Sequence, residues 1–117
     1  MEYKFIRNIL FYKNYYLEFY LTLNPEVKRK FDWTLKLIAT TDKIPVKYFK
    51  HIEGSTGLFE IRVEYGSDIY RVFCFFDKGR LILILNGFQK KTQKTPAKEI
   101  KIAENLKKQY FDDKENK

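Results

Sequence analysis

Arg62 and Arg71 stand on two neighbouring runs, Leu58-Phe59-Glu60-Ile61-Arg62-Val63-Glu64-Tyr65 and Ile69-Tyr70-Arg71-Val72-Phe73-Cys74-Phe75-Phe76. A third run, Leu81 to Leu85, leads through Asn86, Gly87 and Phe88 into Gln89-Lys90-Lys91-Thr92-Gln93-Lys94. If these runs are antiparallel strands, a two-residue loop at Gly66-Ser67 sets Tyr65 opposite Asp68 and therefore Arg62 opposite Arg71. A tight turn around Asp77-Lys78-Gly79 sets Asn86 opposite Arg71 in the same way. Arg62, Arg71 and Asn86 then form a polar row across three strands, and the lysines begin near its end. Like charges placed directly opposite each other are destabilising, so the row calls for a negative partner. Glu60 and Glu64 would supply one as an ion-pair lattice on an exposed sheet face, and a phosphate would supply another. Fixed cations stabilise the charge that develops on phosphorus when a ribose 2′-OH attacks it. A lysine crowded by other cations has a lowered pKa, which suits it to proton transfer.

Around this row stand residues that would hold a nucleic acid rather than react with it. Lys94, Lys98 and Lys50 are cations for a phosphate backbone, Asn86 offers an amide, and Phe88 is an aromatic ring able either to stack on a base or to plug the sheet edge. His51, in the connection before the first strand of the trio, would reach the row only by folding back over the sheet, where it could donate a proton. The single cysteine, Cys74, has no Cys or His at ligand spacing, so no metal site and no disulfide are expected.

The elements that must position these groups follow from periodicity. Leu58–Tyr65 alternates, with Phe59, Ile61, Val63 and Tyr65 on one face and Glu60, Arg62 and Glu64 on the other, as in a half-buried strand. The next two strands are almost wholly apolar and belong inside the sheet, the third ending at Gly87-Phe88. Upstream, Met1 to Tyr12 fits a further strand, with helix as the alternative, which makes about four strands in all. A short helix follows over Lys13 to Leu23, with Asn14 as its cap and Tyr16, Tyr20 and Leu23 along one side. Asn24-Pro25 opens a longer helix to Thr40, whose Val27, Phe31, Leu35 and Ile38 face inward and whose Lys28, Arg29, Lys30 and Lys36 face outward. Thr41 to Gly57 is a connection with one irregular turn. Thr95-Pro96 opens a last helix, carrying Ile100, Ala103 and Leu106 on one side and ending near Gln109. The expected fold is therefore α+β: a small antiparallel or mixed sheet packed by two N-terminal helices and one C-terminal helix. One domain spans 1–111, followed by a polar, flexible tail over 112–117.

Composition bounds the class. A chain of 117 residues, 44% hydrophobic and 18% aromatic, buries a core without staples. Lys4, Arg7, Lys13 and Glu18 interrupt the aromatic N-terminus, so neither a signal peptide nor a membrane span is expected, and the reduced cysteine fits the cytoplasm. The net charge of +8 favours an anionic partner, and the segment from Gln89 to Gln109 alone holds seven lysines against two glutamates.

The motifs LFEIRV, YRVFCFF and LNGFQKKTQKTPAKEI, in this order, resemble the HigB branch of the RelE/ParE toxin superfamily, including its phage-derived members. The resemblance is close over residues 58–108 and general before them. It implies the RelE/ParE toxin-like fold and a toxin of a type II toxin–antitoxin pair, acting as a ribosome-dependent mRNA endoribonuclease that needs neither metal nor other cofactor. The implied partners are mRNA, the ribosome and a cognate antitoxin of helix-turn-helix type. In the resembled nucleases, basic residues on the sheet and just after its last strand do the work, which by position implies Arg62, Arg71, Lys90 and Lys91 as the catalytic group. Several relatives add a Tyr or His beside that cluster; here the nearest such residue is Tyr110, and the general base is left open. Two other readings accompany this one: a ParE-like inhibitor of DNA gyrase, and an RNA-binding module that does not cut.

Overall fold

A computed structural model describes residues 4–90 and 96–116. Five strands form one mixed sheet in the order β1-β5-β4-β3-β2, with three helices around it. β1 (Asn8–Phe11) runs parallel to β5 (Leu81–Lys90), and β5, β4 (Asp68–Asp77), β3 (Leu58–Tyr65) and β2 (Phe49–His51) are successively antiparallel. The α+β class holds, with five strands rather than about four. The additional strand is β2, inside the stretch expected to be only a connection. Three residues are too few to show an alternation, and β2 exists because Phe49, Lys50 and His51 pair with Ile61, Glu60 and Phe59.

The helices divide between the two faces of the sheet. α1 (Tyr15–Leu21) and α2 (Pro25–Thr40) cover one face, where Tyr16, Val27, Phe31 and Ile38 pack on Ile61, Val63, Val72, Cys74, Ile82 and Ile84. α3 (Ala97–Glu115) covers part of the other, where Ala103 and Leu106 pack on Leu58, Phe73, Phe75, Leu83 and Leu85. Because both faces are covered, the central strands are apolar at nearly every position, as sheets buried on both sides require. Among the described residues no helix is long and apolar enough to cross a membrane.

Local chemistry sets the helix ends. The Asn24 side chain accepts a hydrogen bond from the Val27 amide at 2.9 Å, and Pro25 takes the first helical position, where its missing N–H costs nothing. At the other end of α2, the Arg7 guanidinium donates to the carbonyls of Ile38 and Thr41 at 2.9 and 2.6 Å, satisfying acceptors the helix leaves orphaned. Asn14 precedes α1 but makes no side-chain cap bond. α3 does not end near Gln109. It runs to Glu115, so the polar residues 112–115, expected to fray, are helical. Contacts from distant segments hold that end: the Tyr12 hydroxyl donates to Asp113 at 2.7 Å, and Tyr110 and Lys114 both donate to the buried Asp77, at 2.6 and 2.8 Å.

β5 likewise does not stop at Gly87-Phe88 but continues to Lys90. Gly87 lies in its interior because the Phe19 ring of α1 packs directly on it, and a Cβ there would fall 2.5 Å from Phe19 Cδ2. A Gly87→Ala substitution must push that ring off the sheet, and overpacking of this kind costs on the order of 1–3 kcal/mol. Chemical denaturation of the purified variant should show the loss as a lower midpoint with an unchanged slope.

Candidate functional site

The hairpin at Gly66-Ser67 produces the expected pairing: Tyr65 lies opposite Asp68 and Arg62 opposite Arg71. The second turn does not. Asp77 pairs with Leu81, so the loop is Lys78-Gly79-Arg80, with Lys78 and Gly79 both at positive φ (54° and 66°). A bulge then follows, with the register passing from Cys74 opposite Ile84 to Val72 opposite Gly87, so that Leu85 and Asn86 together oppose Phe73. These two departures move β5 by two residues relative to the expected register. Phe88, not Asn86, therefore stands opposite Arg71, and Lys90 stands opposite Ile69, which itself pairs with Glu64. Asn86 sits in the bulge with its Oδ1 buried and without a hydrogen-bond partner among the described residues.

Since directly paired residues share a face, Lys50, Glu60, Arg62, Glu64, Arg71, Phe88 and Lys90 all lie on the face that α3 partly covers. Phe88 separates the two halves of that face: its half-buried ring packs on Phe73 at 5.4 Å, where the apolar half begins. Lys98 is exposed in the first turn of α3. Lys91 and Lys94 lie outside the described residues.

One of the two readings put Glu60 and Arg71 in an ion-pair lattice on an exposed sheet face. They are instead 6% and 7% exposed and bonded to each other through Arg71 Nη1 and Glu60 Oε2. The expected alternation missed this because it treated the polar face of β3 as free, whereas β2 covers its edge at Glu60 and the apolar half is roofed by α3. The second pair, Arg62 Nη2 to Glu64 Oε1 at 2.7 Å, is more exposed. Lys90 is 8% exposed. Its burial, and then repulsion from Arg71, Arg62 and Lys50, hold its pKa below the usual lysine value. Burial also lowers that of Arg71. Among the described residues, four cations thus share this face with two carboxylates in a partly buried recess, where an anion is attracted more strongly than at an open surface.

The other groups considered for proton transfer lie elsewhere. His51 is directly opposite Phe59, on the face covered by α1 and α2, and its ring packs edge-on against Phe59 at 5.2 Å. Tyr110 is bonded to Asp77 at the far end of β4, about 20 Å from Arg71 at the rise of a strand. Burial and that bond push its pKa up to about 12. Among the described residues of the recess the groups able to move a proton are the carboxylates of Glu60 and Glu64 and the amines of Lys50 and Lys90, and of these Glu60 and Lys90 are buried. Sequence reasoning treated Glu60 only as a counter-ion; the sign of its burial was the charge pattern Lys50–Glu60–Arg71, which requires β2 to be known.

Removing one partner of a buried ion pair strands the other. Arg71→Ala should therefore destabilise the fold by about 3–5 kcal/mol, whereas a Glu60→Leu/Arg71→Met double variant should be neutral or more stable. Denaturation midpoints of the parent, the single variant and the double variant measure this directly. Equal midpoints for parent and Arg71→Ala would mean that the pair is not buried in solution.

No curated protein matches the chain. The family described as phage derived protein Gp49-like (DUF891) matches residues 18–108, from within α1 to within α3, and thus takes in every described residue of the cationic recess. This family is associated with toxins of toxin–antitoxin pairs. The chain belongs to the Gp49-like family of phage-derived proteins.

Proposed function

We propose that this protein is a HigB-like toxin of a type II toxin–antitoxin pair, an endoribonuclease that cuts mRNA on the ribosome in the cytoplasm and is silenced by a cognate antitoxin of helix-turn-helix type. The observation that carries the reading is the convergence of Lys50, Arg62, Arg71 and Lys90 on one recess that also holds a carboxylate. A phosphodiester entering there exchanges its oxygens for Glu60 on the Arg71 guanidinium. The released Glu60 carboxylate takes the proton of the ribose 2′-OH, and the 2′ oxygen forms a bond to phosphorus while the bond from phosphorus to the 5′ oxygen breaks. Arg62 and Arg71 stabilise the added negative charge on phosphorus. Lys90, whose lowered pKa makes it a stronger acid than an ordinary lysine, protonates the leaving 5′ oxygen. The products are a 2′,3′-cyclic phosphate and a 5′-hydroxyl. Lys91 joins this group by the family resemblance, with Lys94, Lys98 and Lys50 along the RNA backbone.

Transcript ends mapped after brief induction test this reading. Cuts within translated frames, ending in cyclic phosphates, are expected. Lys90→Met, which removes a charge from a buried position without removing volume, should remain folded and cut at least about 100-fold more slowly. DNA breaks in place of RNA cuts would indicate a gyrase inhibitor. RNA binding with neither kind of break would indicate a module that does not cut, and cleavage by Lys90→Met at the parental rate would place the chemistry elsewhere.

A further inference from the structure

Beside the cationic recess, on the other side of Arg62, α2 and β3 enclose a cleft of about 490 Å³, within the size range of small-ligand sites. Its α2 wall is a single helical stripe, Glu26, Arg29, Lys30, Trp33 and Thr34, spaced so that all five share one face. Its other wall is the end of β3 from Arg62 to Tyr65, where the Arg62 amide donates to the Tyr48 carbonyl at 3.0 Å and the residues after it lie past β2, which pairs with Phe59 to Ile61. Tyr48 closes the cleft beside Lys47.

The aromatic side chains here are unusually open. Trp33 is 54% exposed and Tyr65 37%, although each could bury far more surface in a core. They are also held in place. Trp33 packs edge-on against Tyr48 at 5.4 Å, Lys30 Nζ stands 5.7 Å from the Tyr65 ring, and Lys47 Nζ stands 5.5 Å from the Tyr48 ring. Of the four cations lining the cleft, Arg29 and Arg62 are paired with Glu26 and Glu64, each at 2.7 Å. Lys30 and Lys47 have no carboxylate partner among the described residues, and they leave the cleft positive.

We propose that this cleft is a subsite for an unstacked nucleobase of single-stranded RNA, with Trp33 and Tyr65 supplying ring faces and Lys30 and Lys47 meeting the flanking phosphates. The inference rests on the RNA-cleaving reading of the neighbouring recess and extends it along the strand. Arg62 belongs to both sites, because it lines the cleft and stands opposite Arg71 in the sheet. The recess lies on the α3 face and the cleft on the α2 side, so a strand held at Arg62 reaches Trp33 by turning round the edge of β3. A peptide strand added to the open edge of β3 is the other occupant such a cleft invites. Against it, Lys30 Nζ already donates to the Glu64 carbonyl at 3.0 Å, and a lysine on a free edge is a device that discourages strand pairing. Stacking is also tolerant of sequence, as suits an enzyme that must accept many messages.

Trp33 is the only tryptophan in the chain, so it reports on its own cleft. A single-stranded RNA octamer with 2′-O-methyl riboses, which cannot be cut, is titrated into the full-length protein while tryptophan emission is followed. A fluorescein-labelled copy gives affinity by anisotropy. Quenching that saturates with the RNA is expected. Trp33→Ala and Tyr65→Ala, both at exposed positions, should each bind about tenfold more weakly, and Trp33→Phe should stay near the parent. RNA that binds without changing Trp33 emission, together with parental affinity in both alanine variants, overturns the subsite and leaves the cleavage reading to its own test with Lys90→Met. Emission that responds to the antitoxin but not to RNA also overturns it, and makes the cleft a protein interface. An octamer that does not bind the parent at all also overturns the subsite, and leaves the cleavage reading to transcript-end mapping and Lys90→Met.

Discussion

A guanidinium and a carboxylate lie bonded and almost fully buried on the central strands of the sheet, and this pair constrains everything around it. Withdrawing an ion from water carries a penalty of several kcal/mol even after relaxation, and mutual attraction offsets it only while both partners remain in place. Apolar residues at Glu60 and Arg71 would serve the fold at least as well. Retaining charge in the interior therefore makes sense if the pair has a second arrangement in which an incoming anion takes the place of Glu60 on Arg71. Lys90 strengthens this view. Its burial beside three other cations opposes folding at neutral pH, because its pKa in the fold lies below that of the unfolded chain, and that cost recedes as pH rises through the folded value. A bound phosphate would relieve the same repulsion.

The geometry of the recess depends on β5. Without the three-residue loop and the bulge, Lys90 would not lie level with Glu64 and Ile69, and Phe88 would not stand opposite Arg71. The bulge also brings Gly87 under the ring of Phe19, so α1 on one face fixes the register that presents Lys90 on the other. α3 then shields the apolar half of this second face. In this way one strand irregularity couples the packing of both helical layers to the placement of the charges.

Much of this was legible in the chain. Alternation along Leu58–Tyr65 and the Gly66-Ser67 turn were enough to place the two arginines opposite each other, since a hairpin with a two-residue loop has only one register. Asn24-Pro25 marked the start of α2 for equally local reasons. What stayed hidden depended on distant parts of the chain. The bulge opposite Phe73 has no signature in the alternation of an all-apolar strand. β2 is defined by its partner more than by its own three residues. The burial of Glu60 goes with its pairing to that strand, and α3 is prolonged by Tyr12 and Asp77, which lie far from it in sequence. The aromatic cleft was invisible because Trp33, Tyr48 and Tyr65 come from a helix, a turn and a strand, and Trp33 and Tyr65 each read as ordinary parts of a helix or strand pattern.

The central claim is that Arg71 exchanges Glu60 for a phosphate of RNA. The most direct measurement is a crystal structure of the protein with a short RNA whose cleavage is blocked by a 2′-O-methyl ribose. The account predicts a phosphate within hydrogen-bonding distance of both Arg71 and Arg62, about 2.7–2.9 Å for charge-assisted bonds, with Lys90 beside the 5′ oxygen and Glu60 turned toward the blocked 2′ oxygen. RNA bound elsewhere on the protein, with Arg71 and Glu60 still bonded to each other, would contradict it.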